Sequence, residues 1–182
     1  MLDHSYWFSS CIVVYFVAVN SPTASAARTA CVVVESRSAP IAFAGEEIRI
    51  ALRQKDWKVT AQPSGSTATV ILSEPDGKGE TESFDIAVSQ TNGSVIVRVR
   101  GKDIRGVMYG GLDIAEQISF GAELAGIEAR HAAAFLPVRA IKFNIPFSGN
   151  VYVSQEDLTR SDWFFDLEYW RAFIRFLAYH HY

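Results

Sequence analysis

Cysteine is nearly missing from these 182 residues: there are two, Cys11 and Cys31, too few for a disulfide framework or a cysteine metal site. Cys11 lies in the leader described below, whose removal leaves Cys31 alone with no internal disulfide to form. Histidine is scarce as well. His131, His180 and His181 are the three beyond residue 26, and they lack the spacing of a zinc site. Basic clusters are absent: 17 Lys and Arg stand against 20 Asp and Glu, for a net charge of −3. No cation run is interleaved with aromatics in the way that tracks phosphates, so nucleic acid is not an expected partner. Gly106 to Gly111 lacks the Gly-Lys-Ser/Thr ending of a phosphate loop. No serine or cysteine stands in a histidine-acid context. No cofactor is expected.

Long apolar runs are also lacking, since crossing a bilayer takes about 20 residues. The strongest run, Cys11-Ile-Val-Val-Tyr-Phe-Val-Ala-Val19, has the length of a signal-peptide core, and Ala24-Ser25-Ala26 supplies small residues for cleavage. Residues 1–26 therefore read as an export leader cleaved near Ala26, which would make the mature chain secreted or periplasmic, with no membrane span. The usual positive charge is missing, Asp3 being the only charged residue ahead of the core. A misassigned start or a buried strand are the other readings. Losing Asp3 alone would change the net charge from −3 to −2. Arg28 sits where a lipoprotein site before Cys31 wants an apolar residue, so lipidation is not expected.

What is present describes a globular chain, with 49% hydrophobic, 13% aromatic and 20% charged residues. The length suits one domain, or one domain and a fragment of another. Its centre is a strand, Ser94 to Arg100, running into a capped helix between Gly101 and Gly121. Val95, Val97 and Val99 alternate with Arg98 and Arg100. Asp103 stands at the N-cap position, and Ile104, Met108, Leu112, Ala115 and Ile118 recur at helical spacing. Gly106, Gly110 and Gly111 interrupt this helix at a cost of about 0.8–1 kcal/mol each relative to alanine. Keeping them implies close backbone approach, either to a packed sheet or to a ligand.

Upstream, Thr29 to Glu35 reads as a buried strand. Ile41, Ala44, Ile48, Ala51 and Leu52 then share a helical face, with Glu46 and Glu47 early and Arg53 and Lys55 late. Ile48, Ile50 and Leu52 also alternate as in a strand, but segment length and charge order favour helix. Four strand-like runs follow: Trp57 to Ala61, Ala68 to Ser73, Ser83 to Ser89, and Ser94 to Arg100. Turn residues separate them at Pro63 to Ser66, Pro75 to Gly79 and Asn92-Gly93, the last being the strongest hairpin signal. The expected fold is α+β, a mixed, mainly antiparallel sheet with two helices packed on it.

The motif Gly106-x-x-Tyr109-Gly110, with Gln117 seven residues on, resembles the closing helix of the accessory α/β domain that precedes the catalytic barrel in bacterial β-hexosaminidases and α-glucuronidase-type glycoside hydrolases. The element order over residues 27–121 agrees with that domain. Residues 122–135 are small and weakly patterned and read as a connection, with His131 assigned no role.

Residues 136–182 read as a second unit. Leu136 to Pro146 alternates, placing Ile141, Phe143 and Ile145 on one face. After a loop from Phe147 to Ser161, Asp162 to Tyr179 carries a stripe of Trp163, Leu167, Trp170, Ile174 and Leu177, opposite Glu168, Arg171 and Arg175. Nine of the last 20 residues are Phe, Trp or Tyr, and so apolar a face calls for burial. With Arg139, Phe143, Asn144, Pro146, Tyr169 and Trp170, this stretch is similar to the first β/α unit of the (β/α)8 barrel in the same hydrolases. The resemblance implies a carbohydrate substrate bound through the rest of the barrel, and the barrel itself as an intramolecular partner. It also implies sugar binding by Arg139, although the family's aspartate five residues on is Asn144 here; a structural arginine paired with an interface carboxylate is the other reading.

Glycoside hydrolysis usually needs two facing carboxyl groups, and in the resembled hexosaminidase family an adjacent Asp-Glu pair late in the barrel supplies this, with the substrate's own acetamido group helping. No such pair occurs in a barrel strand here. Glu46-Glu47 and Glu156-Asp157 read as surface charge, so no residue is assigned a catalytic or metal-binding role. The expected function is the non-catalytic N-terminal fragment of a secreted glycoside hydrolase; the alternative is a stand-alone extracellular carbohydrate- or protein-binding module.

Overall fold

A computed structural model describes residues 28–136, 138–142 and 165–182. The expected leader, Trp163, Glu156-Asp157 and the end of the Leu136 to Pro146 strand lie outside the described residues. Strand β1 (Thr29–Val34) leads into α1 (Ala39–Gln54), β2 (Lys58–Thr60), β3 (Ala68–Leu72), the hairpin β4 (Phe84–Thr91) and β5 (Ser94–Gly101), α2 (Ile104–Ser119), a single 3-10 turn (Leu124–Gly126) and β6 (Arg130–Ala132). Helix α3 (Leu167–Tyr179) ends the described chain.

The fold is α+β with one mixed six-stranded sheet, ordered β2-β1-β3-β5-β4-β6. The balance of directions differs from the expected one. β2, β1, β3 and β5 run parallel, and only the β4 pairings, to β5 and β6, are antiparallel. Alternation along a strand reports which face is buried but not which way its neighbour runs. The proline-containing turns at 63–66 and 75–79 do not close hairpins, because β2 and β3 both pair with β1 while β3 and β4 both pair with β5. Asn92-Gly93 does close one. Both residues adopt positive φ, 51° and 78°, the combination that matches the twist of a two-residue hairpin.

Helices α1 and α2 are the crossovers of β1-α1-β2 and β5-α2-β6, and both lie on one face of the sheet. Val70, Leu72, Phe84, Ile86, Val97 and Val99 form one core with Ile41, Ala44, Ile48 and Leu52 of α1 and Leu112, Ile114, Ala115 and Ile118 of α2. A fully buried Leu or Ile contributes about 1.5–3 kcal/mol, so this stripe-on-sheet seam is the main stabilising feature. α1 begins with Pro40 in its first turn, where a missing N–H costs nothing. Glu46 and Glu47 consequently lie in the middle of the helix rather than at its dipole-favoured start.

The segment around Leu136 to Pro146 forms no strand in its described part, residues 136 and 138–142. A strand needs a neighbouring backbone, and none of the six strands pairs with these described residues. Within the expected connection 122–135, the three-residue β6 adds an edge strand for which the sequence carries no pattern. His131 on β6 meets Asp85 at 2.9 Å, with both side chains largely exposed.

Candidate functional site

The glycine-rich helix is built for contact with the sheet. Asp103 caps α2 by accepting the Gly106 N–H at 2.9 Å, while its second oxygen accepts the Glu82 N–H at 2.9 Å. A Cβ on Gly106 would come within 2.2 Å of the Ser83 carbonyl oxygen, and one on Gly110 within 2.6 Å of Val99. A Cβ on Gly111 would meet Ala44 of α1 at 2.9 Å. The glycines therefore serve helix-on-sheet and helix-on-helix packing, the first of the two readings above. Gln117 ties the following segment down, donating to Asp113 at 2.7 Å and accepting the Glu128 N–H at 2.8 Å.

Around this helix three carboxylates are buried to about the same degree: Glu47 of α1 at 5% exposure, Glu82 before β4 at 4%, and Asp113 of α2 at 5%. Each meets an arginine from later in the chain. Arg175 of α3 reaches Glu47 at 2.5 Å, Arg139 pairs with Glu82, and Arg130 pairs with Asp113. A carboxylate cannot be buried without such a partner except at large cost. Glu82 takes a second arginine, Arg105, at 2.7 Å, and its own backbone is left-handed, φ 61°. That conformation is uncommon for a residue with a Cβ, and the Asp103 bond to its N–H helps hold it.

Most of this leaves no mark in the sequence. Glu47 is not surface charge: it accepts from both Arg175 and the Tyr179 hydroxyl, the latter at 2.8 Å. Burial, and then the bond to Glu47, push the Tyr179 phenol well above its usual range. Arg175 stays half-exposed on the solvated face assigned to it, 50% open, while its tip reaches Glu47. Asp113, an acid flanked by Leu112 and Ile114 in an apolar helix, is the legible clue; Glu82 and Arg130 have no local signal.

Arg139 is close to buried. Its Nη2 donates to Glu82 and its Nη1 to the Leu136 carbonyl at 2.7 Å, while Nε is buried without a partner. The Glu82 bond raises the guanidinium pKa above its ordinary value. Tyr109, a ring 2% exposed, adds a smaller upward push on Arg139 and carries His181 stacked on it at 4.4 Å. Burial, followed by the fields of Arg139 and Arg130, holds the His181 imidazole below its ordinary pKa. A polar cavity of about 220 Å³ lies alongside, lined by Asp113, Glu116, Arg130, Tyr179, His180 and His181. A larger apolar groove of about 710 Å³ runs between α1 and α3, past Phe43, Met108, Ile174 and Leu177.

The arrangement joins segments; it does not present two free facing carboxyl groups, because each buried acid is already bonded to arginine. No protein-family description matches the chain, and no curated protein matches it. Among solved structures the fold is similar to part of a GH138 enzyme targeting pectin rhamnogalacturonan II. The TM-score is 0.58 at 21% sequence identity, over 83% of this chain and 22% of that one. The chain thus corresponds to a minor part of that enzyme's length, and the likeness is one of fold.

Proposed function

We propose that this chain is the amino-terminal part of a secreted carbohydrate-active hydrolase, of the β-hexosaminidase or α-glucuronidase type that its Gly-Tyr-Gly helix resembles. Residues 27–121 form the accessory domain, residues 136–182 open the catalytic barrel, and the piece itself is non-catalytic. The observation that carries this reading is the fold similarity to a glycoside hydrolase over 83% of this chain but only 22% of that enzyme. Two features support it. The buried acids are occupied by arginines, and α3 shows solvent an apolar flank, with Leu167 60% and Ile174 62% exposed, as a barrel helix without its neighbours would.

Determining the coding sequence past Tyr182 tests the proposal. Continuation into repeated strand-helix units with paired carboxylates is the expected result, and an immediate stop codon overturns it. Purified residues 27–182 are expected to show no turnover of aryl glycosides of glucuronic acid or N-acetylglucosamine, and to self-associate through α3.

Tyr169, 37% exposed on α3 and 5.5 Å from the Trp170 ring, favours a second reading, a stand-alone sugar-stacking module. Titrating uronic and amino sugars against tryptophan fluorescence separates the two, since only the module responds.

A further inference from the structure

Arg139 and His181 stand 42 residues apart in the chain yet come to one place: Arg139 pairs with Glu82, while His181 stacks on Tyr109 at 4.4 Å and meets Phe84, two residues past Glu82, edge-on at 6.3 Å. A barrel's β/α unit requires such a meeting, because the helix runs back antiparallel to its strand and brings its end to the strand's beginning. That shared end is the floor of the barrel. Catalytic groups gather at the opposite rim, at the carboxyl ends of the strands.

We propose that Glu47 and Glu82 act together as an arginine-receiving clasp that grips the barrel by its floor, with Tyr109 and His181 filling the space between the ion pairs and Asp113 holding Arg130 of the edge strand β6 beside them. The inference rests on the barrel reading above and adds a direction to it: the accessory domain lies away from the sugar, and Arg139 is a positioning residue. Three observations converge. The two clasped arginines come from separate segments, at 139 and 175, each seated on an acid at most 5% exposed. Both sides of the meeting are held in left-handed backbone, Glu82 at φ 61° and His181 at φ 60°. Finally, the α3 end is capped back onto the domain, with the Tyr109 hydroxyl donating to the Tyr182 carbonyl at 3.4 Å.

Hydrogen exchange on the full 182-residue chain tests the clasp. Glu82→Gln is expected to speed exchange about tenfold in residues 139–142 and 177–182 while leaving β3 and β5 protected. Unchanged rates in 177–182, or equal loss in β3 and β5, overturn the clasp. Arg175→Met, which strands the Glu47 carboxylate, should loosen α3 more than the double variant Glu47→Gln/Arg175→Met does. A double variant no better than the single one overturns the pairing. These rates are independent of any continuation of the chain past Tyr182, so failure of the glycosidase reading is seen separately, in the coding sequence. Where the extended enzyme exists, Arg139→Lys should lower its melting temperature at constant KM. A KM rise of about tenfold at unchanged stability would place Arg139 on the sugar and overturn the floor assignment.

Discussion

Helices α2 and α3 have similar amphipathic patterns and opposite fates. α2 buries eleven of its 16 residues, whereas α3 buries none of its 13. α2 is held by shape, through glycines that let it descend onto β4 and β5 and a close-packed apolar seam against α1. α3 is held by a few directional bonds, Arg175 and Tyr179 to Glu47 and the stacked His181. The difference teaches that a hydrophobic stripe measures how much apolar surface a helix offers, while small residues at the contact decide how closely anything can cover it. A close seam resists every perturbation of volume. A bonded one responds to charge.

The sharpest way to break the comparison is to spoil the α2 seam. Gly106→Ala drives a methyl into the Ser83 carbonyl and should cost about 3 kcal/mol or more, in excess of ordinary overpacking because the obstacle is backbone; the urea midpoint reads it. Asp103→Ala removes the α2 cap and strands the Glu82 N–H, with an expected loss of about 1–2 kcal/mol by the same measurement.

A gentler probe acts on α3 alone. The His181 pKa is lowered in the fold, so the proton prefers the detached or unfolded chain. The stability His181 contributes is complete above its ordinary pKa of about 6.5 and is lost as pH falls from there through the lowered value. The protection of residues 177–182, corrected for the intrinsic slowing of exchange in acid, should fall as pH drops below about 6.5 while β3 and β5 hold, and His181→Asn, which tolerates the left-handed backbone, should flatten that dependence. The smallest effect is expected from Leu167→Ser. That side chain is 60% exposed, so stability should move by less than about 0.5 kcal/mol, and the change should appear instead as reduced self-association in sedimentation. A large stability loss there would show that α3 is covered after all.

Much of the fold is legible from sequence. The Asp103 cap, the α1 and α2 stripes and the Asn92-Gly93 hairpin are all decided within a few residues, where backbone conformation and side-chain spacing act alone. Sheet direction is not, because β1, β3 and β5 find one another across crossovers and their alternation is blind to polarity. The candidate site divides the same way. Tyr109, Gly110 and Gln117 stand out as a motif, but Glu82 sits in an unpatterned loop and Glu47 looks like one of a pair of surface acids. Only the acid flanked by apolar neighbours, Asp113, carries a local hint of burial.

By itself, then, the sequence determined the elements from β1 to α2, the Asp103 cap and the faces these elements bury, since these follow from periods of two and 3.6 residues and from short-range hydrogen bonds. The tertiary structure alone decided the strand order and the pairing of Glu47, Glu82 and Asp113 with Arg175, Arg139 and Arg130. The physical reason is that a buried charge takes its partner from whatever segment packing brings within reach, and that distance is not encoded in the spacing along the chain.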